Sequence, residues 1–100
     1  MKLMKTKEQV LEAISGVMHP AINLSLVKLG IVPDVKVEND TATAYFAFPF
    51  PNIPIAEDLI FSISQPILNM GLKFKYETRV MSEAEKQNFL KLEGENWKGL

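Results

Sequence analysis

Residues 72–80 impose the strongest constraint on the fold. Leu72, Phe74, Tyr76, Thr78 and Val80 alternate without a break with Lys73, Lys75, Glu77 and Arg79. That period of two predicts a strand with one buried and one wet face. The segment before it has the other periodicity: Ala56, Leu59, Ile60, Ile63, Ile67 and Met70 make one continuous apolar helix stripe. A strand reached from an earlier strand through a helix is a crossover, so it runs parallel to that earlier strand. The rest of the chain must be arranged around this parallel pair.

Upstream, Thr6 and Gln9 have the spacing of a capping box. Val10, Ile14, Val17 and Met18 then predict a helix over 7–18, which Pro20 stops by disfavouring helical geometry at His19. Residues 19–30 read as a connector whose Gly30 supplies a backbone angle other residues resist. Ile31, Val35 and Val37 predict a strand over 31–38, with Pro33 at its edge or lead-in. Asn39-Asp40 is a hairpin turn into a strand over 41–48. On that strand the small Ala42 and Ala44 precede the large Phe46 and Phe48, so a helix is expected close over the alanines.

Residues 49–54 hold three prolines in six positions and are stiff and non-helical. Pro54 suits the approach to a helix's first turn, and Glu57 and Asp58 suit the positive helix end. Pro66 should kink or loosen the last turn, and Gly71 is a C-cap candidate. Ser82 and Glu85 open a further helix to about Leu92, anchored by Phe89, Leu90 and Leu92 and stopped by Gly94. The tail 95–100 carries the sole tryptophan, Trp97. The order is α-β-β-α-β-α. The expected fold is α+β: a two-layer α-β-β-α-β sandwich with an added C-terminal helix, one domain over 1–100.

Composition removes several chemistries. The 100 residues contain no cysteine, which excludes disulfides, thiolate catalysis, a Cys-based zinc site and a self-ligated iron–sulfur cluster. Eleven basic residues against twelve acidic ones give a formal charge of −1, which argues against tight nonspecific binding to nucleic acid or anionic membrane. Residues 1–5 have charge but no apolar stretch behind them, unlike a signal peptide, and no run suits a membrane span.

Candidate functional residues are few. His19 is the only imidazole, too little for a triad or a metal site; it reads either as a solvated or capping residue at a helix end or as a functional group. Ser15, Ser25 and Ser62 have no catalytic motif around them. The glutamates of the last helix and the Lys73, Lys75 and Arg79 face read first as solvated surface. Phe61 and Leu68 lie off the main helix stripe, either completing the core or marking an association face. Ile53, bare among prolines, reads equally as exposed contact surface or as a staple tucked beneath the sheet.

Val27-Lys28-Leu29-Gly30-Ile31-Val32 after a His19-Pro20 corner, then a hairpin, then Phe48-Pro49 through Ile53-Pro54-Ile55-Ala56-Glu57, resembles the iron–sulfur cluster assembly domain family. That family includes PaaD-like proteins, cytosolic cluster-targeting factors and the leading domain of Mrp-type carrier ATPases. The resemblance covers about residues 6–80, leaving the helix and tail of 81–100 as an addition, and it implies the same α-β-β-α-β unit. Two departures stand out. The family's Asp-Pro-Glu corner is His19-Pro20-Ala21 here, and the position of its reactive Cys, before the proline at the second helix start, is Ile53.

The resemblance implies a non-enzymatic, cytoplasmic binding or scaffold protein related to cluster assembly, with no cofactor or ligands of its own. Its expected partner is a protein of the cluster-assembly or carrier machinery, not a nucleic acid or a membrane. The expected partner-binding residues are His19, Pro20, Asn52, Ile53 and Pro54, with corner and loop adjacent in space. A weak homodimer through chain edges and the Phe61/Leu68 flank is also expected. Two other functions remain open at this point: an accessory subunit of a larger enzyme or carrier ATPase, and a small RNA-binding module.

Overall fold

The computed structural model describes residues 6–98; residues 1–5, read above as lacking a leader's apolar stretch, lie outside them. The chain runs α1 (Lys7–Ile14), β1 (Asp34–Glu38), β2 (Thr41–Phe48), α2 (Ala56–Asn69), β3 (Lys73–Val80) and α3 (Glu83–Asn96). The sheet order is β1-β2-β3. β1 and β2 form an antiparallel hairpin with Glu38 opposite Thr41, and Asn39 takes the turn's positive φ of 54°. β2 and β3 are parallel, from Thr41 opposite Lys73 to Phe48 opposite Val80. The α+β architecture and the crossover are therefore those the periodicities dictate.

The core lies between the sheet and the α1/α2 layer. Ala42, Ala44 and Phe46 on β2, Val35 on β1, Val10 and Ile14 on α1, and Leu59, Ile63 and Ile67 on α2 are all buried. The alanines are wholly buried, as expected where helices approach closely. Residues 22–32 add Ile22, Leu26, Leu29, Ile31 and Val32, each essentially inaccessible. Treating this stretch as a plain connector therefore missed a core element. Its turn is closed locally: the Ser25 hydroxyl accepts from the Lys28 N–H (3.1 Å), the Leu29 N–H donates to the Ser25 carbonyl (3.0 Å), and Gly30 reverses the chain at φ 81°.

Several boundaries differ from expectation. α1 ends at Ile14 instead of 18, because the N–H groups of Ser15 and Val17 turn back to carbonyls three residues earlier (3.3 and 3.0 Å). β1 begins at Asp34 instead of 31: Pro33 cannot donate to a ladder, and Ile31 meets β2 only through its carbonyl, which accepts from the Ala47 N–H at 2.8 Å. α2 runs unbroken through Pro66 to Asn69. α3 continues past Gly94, which sits within it and does not stop it. Of its expected anchors only Phe89 is buried, while Leu90 and Leu92 are half-covered.

The largest correction concerns β3. Its alternation is present, but its apolar face is not closed: Phe74 is half-buried, and Tyr76, Thr78 and Val80 are exposed. β3 is an edge strand, and α2 leaves a groove beside it. Phe61 and Leu68 stand exposed on α2 and do not complete the core.

Two substitutions check this account. Ile63→Ala should cost about 2–5 kcal/mol, as a buried large-to-small change does, whereas Glu12→Ala on the exposed side of α1 should cost less than about 0.5 kcal/mol. Gly30→Ala should cost about 1–2 kcal/mol from backbone strain alone, since an added Cβ meets no atom within 4 Å. Denaturant midpoints measure all three.

Candidate functional site

The parallel pairing of β2 and β3 brings their C-terminal ends to one edge of the sheet, the usual place for a site in parallel α/β arrangements. From that edge β2 continues into the three-proline loop, and β3 into α3. The loop's sharpest bend is at Asn52, φ 59°, a left-handed conformation that Asn tolerates better than most residues. Ile53 then closes the turn into α2 by accepting from the Ala56 N–H at 3.1 Å.

The corner after α1 is built by a tight reversal. The His19 N–H donates to the Leu24 carbonyl (3.1 Å), and the Leu26 N–H to the Val17 carbonyl (2.9 Å). His19 Nδ1 accepts from the Ala21 N–H at 3.0 Å. That bond requires an unprotonated Nδ1, so the neutral ring carries its proton on Nε2. His19 is buried, 8% exposed, which corrects the solvated reading. Burial, with a smaller contribution from the Lys98 charge, holds its pKa below the ordinary value.

A third element completes the site. The chain leaving α3 is strapped to the corner: Ile22 bridges Trp97, the Asn23 N–H donates to the Asn96 carbonyl (2.8 Å), and the Lys98 N–H to the Ala21 carbonyl (3.2 Å). α3 is fixed at its other end by Ser82, whose capping box with Glu85 is complete, and by Arg79, which grips Glu85 with two bonds of 2.7 and 2.9 Å. The Arg79 hydrogen bonds, then those from Ser82, hold the Glu85 carboxyl down at about 2. Lys86 lies 4.6 Å above the Phe50 ring and ties α3 to the proline loop.

Between corner, loop, α2 start and α3 lies a cavity of about 330 Å³. His19 and Ala21 of the corner, Ile53 and Pro54 of the loop, and Phe89 and Trp97 from the C-terminal segment all line it. Corner and loop are thus neighbours, as expected. Pro20 and Asn52 do not line this cavity; Asn52 faces an adjoining one toward β3, and Ile53 forms part of both walls. Ile53 is half-buried against the core, between its two expected readings. The sequence reading missed Phe89, Glu93 and Trp97 as wall residues, although a lone Trp just past a helix was the available signal.

The lining is almost wholly apolar, with His19 and Glu93 the only titratable groups in it. Among the described residues no three His, Cys, Asp or Glu side chains converge on a point that could hold a metal. An iron–sulfur cluster does not fit this donor set, which offers one imidazole and one carboxylate and no thiolate. The arrangement is suited to receiving an apolar group.

His19 should make the fold sensitive to mild acid. Its pKa is lower folded than unfolded, so the unfolded chain binds the proton more readily and stability falls as pH drops below about 6.5. Protonation also removes the acceptor for the Ala21 N–H. Carboxylates such as Glu85 lose their contributions only below their own unfolded value of 4.5, which leaves the interval from pH 7.5 to 5.5 to His19. Urea titrations should show a loss of stability across that interval in the native chain and little in His19→Gln.

Among the described residues no helix is long and apolar enough to cross a membrane. No curated protein matches the chain significantly. A solved structure described as the domain of unknown function DUF59 from Bacillus anthracis superposes with a TM-score of 0.59 at 20% identity, over 81% of this chain and 88% of that one, which shows a shared fold. The profile of the family described as iron-sulfur cluster assembly protein matches residues 7–71, from the start of α1 through α2 to Gly71. The chain belongs to the iron–sulfur cluster assembly family.

Proposed function

We propose that this chain is a non-enzymatic, protein-binding component of iron–sulfur cluster assembly that supplies a docking shape and no cluster ligands. One observation carries the reading: the cavity joining the His19 corner to the proline loop is built and apolar, yet holds no thiol and no convergent ligand set. Ile53 occupies the position where the resemblance places a reactive Cys, and its side chain walls the cavity. A loop stiffened by Pro49, Pro51 and Pro54 loses little conformational freedom on docking, so an apolar partner side chain can be held at low entropic cost. Phe50 and Trp97, 44% and 48% exposed at the rim, are the aromatic anchors such a contact uses.

The test is affinity capture from the native cell under anaerobic conditions, with Ile53→Ser and Trp97→Ala run beside the native chain. The native chain should recover cluster-assembly or carrier-ATPase proteins. Trp97→Ala should lose them while keeping its thermal midpoint within a few degrees, because that side chain is half in solvent. Equal recovery by all three proteins would remove the cavity from the function. A drop of about 2 kcal/mol or more in Ile53→Ser, with capture intact in Trp97→Ala, would make Ile53 a structural residue only.

A further inference from the structure

The outer edge of β3 has no strand partner among the described residues, and all but one of its eight residues are exposed. Open edges of this length are usually blunted by proline, shortness, a covering element or charged side chains, lysine above all. β1, the opposite edge, has five residues and Pro33 at its entrance. β3 is guarded by charge alone, in Lys73, Lys75, Glu77 and Arg79, so a strand that pairs with it must answer those charges.

The backbone determines which residues are free to pair. The Lys73 N–H donates to Asp40 (2.7 Å) and the Met81 N–H to Phe48 (2.7 Å), both toward the β2 side. Backbone groups alternate sides along a strand, so odd-numbered residues are spent on β2, and Phe74, Tyr76, Thr78 and Val80 present free N–H and C=O groups outward. An antiparallel two-fold pairing must therefore place even residues opposite even ones.

Several registers satisfy that rule, and charge and overlap separate them. Centred on Phe74, the pairing sets Lys73 against the partner's Lys75; centred on Thr78, it sets Glu77 opposite the partner's Arg79, but that guanidinium is already held by Glu85 (2.7 Å) and the shared length of strand is shorter. Centred on Lys75 or on Glu77, the pairing sets a like charge against itself on the axis, which destabilises a sheet. Centred on Tyr76, it sets Lys75 opposite the partner's Glu77 and Glu77 opposite the partner's Lys75. Tyr76 and the partner's Tyr76 then exchange both backbone bonds, as do Phe74 and the partner's Thr78. Lys75 and Glu77 are also the two charged β3 residues without an ion pair among the described residues, whereas Lys73 is paired with Asp40 (3.5 Å) and Arg79 with Glu85 (2.7 Å). The like-charged Lys73 and Arg79 that meet at the ends of this register each have a carboxylate partner within their own chain, which lessens their repulsion. The groove between α2 and β3, lined by Ile60, Phe61, Leu68, Phe74 and Tyr76, lies beside this edge and gives the pair apolar surface to share.

We propose that β3 is a self-association edge: two copies of this chain join antiparallel about Tyr76 into one continuous six-stranded sheet, with Lys75 and Glu77 setting the register. This goes beyond the docking cavity, which lies at the C-terminal end of the strands and is lined by no residue of β3.

Sedimentation equilibrium of the full chain over a dilution series, with Lys75→Glu, Glu77→Lys and the double exchange, tests it. The native chain should pass from 11.3 kDa toward twice that mass as concentration rises. Each single variant replaces two attractive cross-strand pairs by repulsive ones and should weaken association about tenfold or more. Mixing the two single variants, or making both changes in one chain, restores opposite charges and should restore the dimer. At dilutions where every variant is monomeric, thermal midpoints should be unchanged, since both side chains are exposed. A chain that stays monomeric up to millimolar concentration overturns the proposal. So does association indifferent to the charges, or weakened by the single changes and not recovered by the mixture.

Discussion

The parallel pairing of β2 with β3 is the constraint on which the rest of the molecule depends. It requires α2 to cross over the sheet, and α2 buries Leu59, Ile63 and Ile67 there. It brings the C-terminal ends of both strands to one edge, so the proline loop and α3 leave from neighbouring points. The His19 corner, reached from α1, then needs only the Ile22–Trp97 bridge to close a pocket between three elements far apart in sequence.

The pocket pairs a retained shape with an absent chemistry. Family membership rests on residues 7–71, the segment that builds α1, the corner, the β1–β2 hairpin, the loop and α2. At that loop Ile53 offers no electron pair to a metal, and a buried neutral His19 bonded to its own turn is a structural hinge before it is a ligand. In the function proposed above, apolar walls and a pre-stiffened backbone serve a protein contact.

Local periodicity made the fold legible. The stripe from Ala56 to Met70 and the alternation from Leu72 to Val80 carried the crossover, and both capping boxes marked helix starts correctly. What periodicity could not convey was depth of burial. Alternation at β3 says that two faces differ, not that a layer covers one of them, and Tyr76 and Val80 stand in solvent because α2 stops short of the edge. Leu26 and Leu29 were hidden by the opposite problem: a single turn closed by Gly30 is too short for a period to emerge, yet it fills the core. Of the expected group His19, Pro20, Asn52, Ile53 and Pro54, conspicuous for its prolines and lone imidazole, the structure brings His19, Ile53 and Pro54 to one cavity and leaves Pro20 and Asn52 off its walls. Trp97 was not assigned to the site, since its position depends on backbone bonds between segments some 75 residues apart, which no local pattern encodes.

We propose that this member of the family works without holding a cluster. The decisive measurement is anaerobic reconstitution of the full chain with ferrous iron and sulfide, followed by desalting and iron analysis. No retained iron and no charge-transfer absorbance are expected. Stoichiometric iron that survives chelator treatment, in a chain with one imidazole and no thiol, would contradict it.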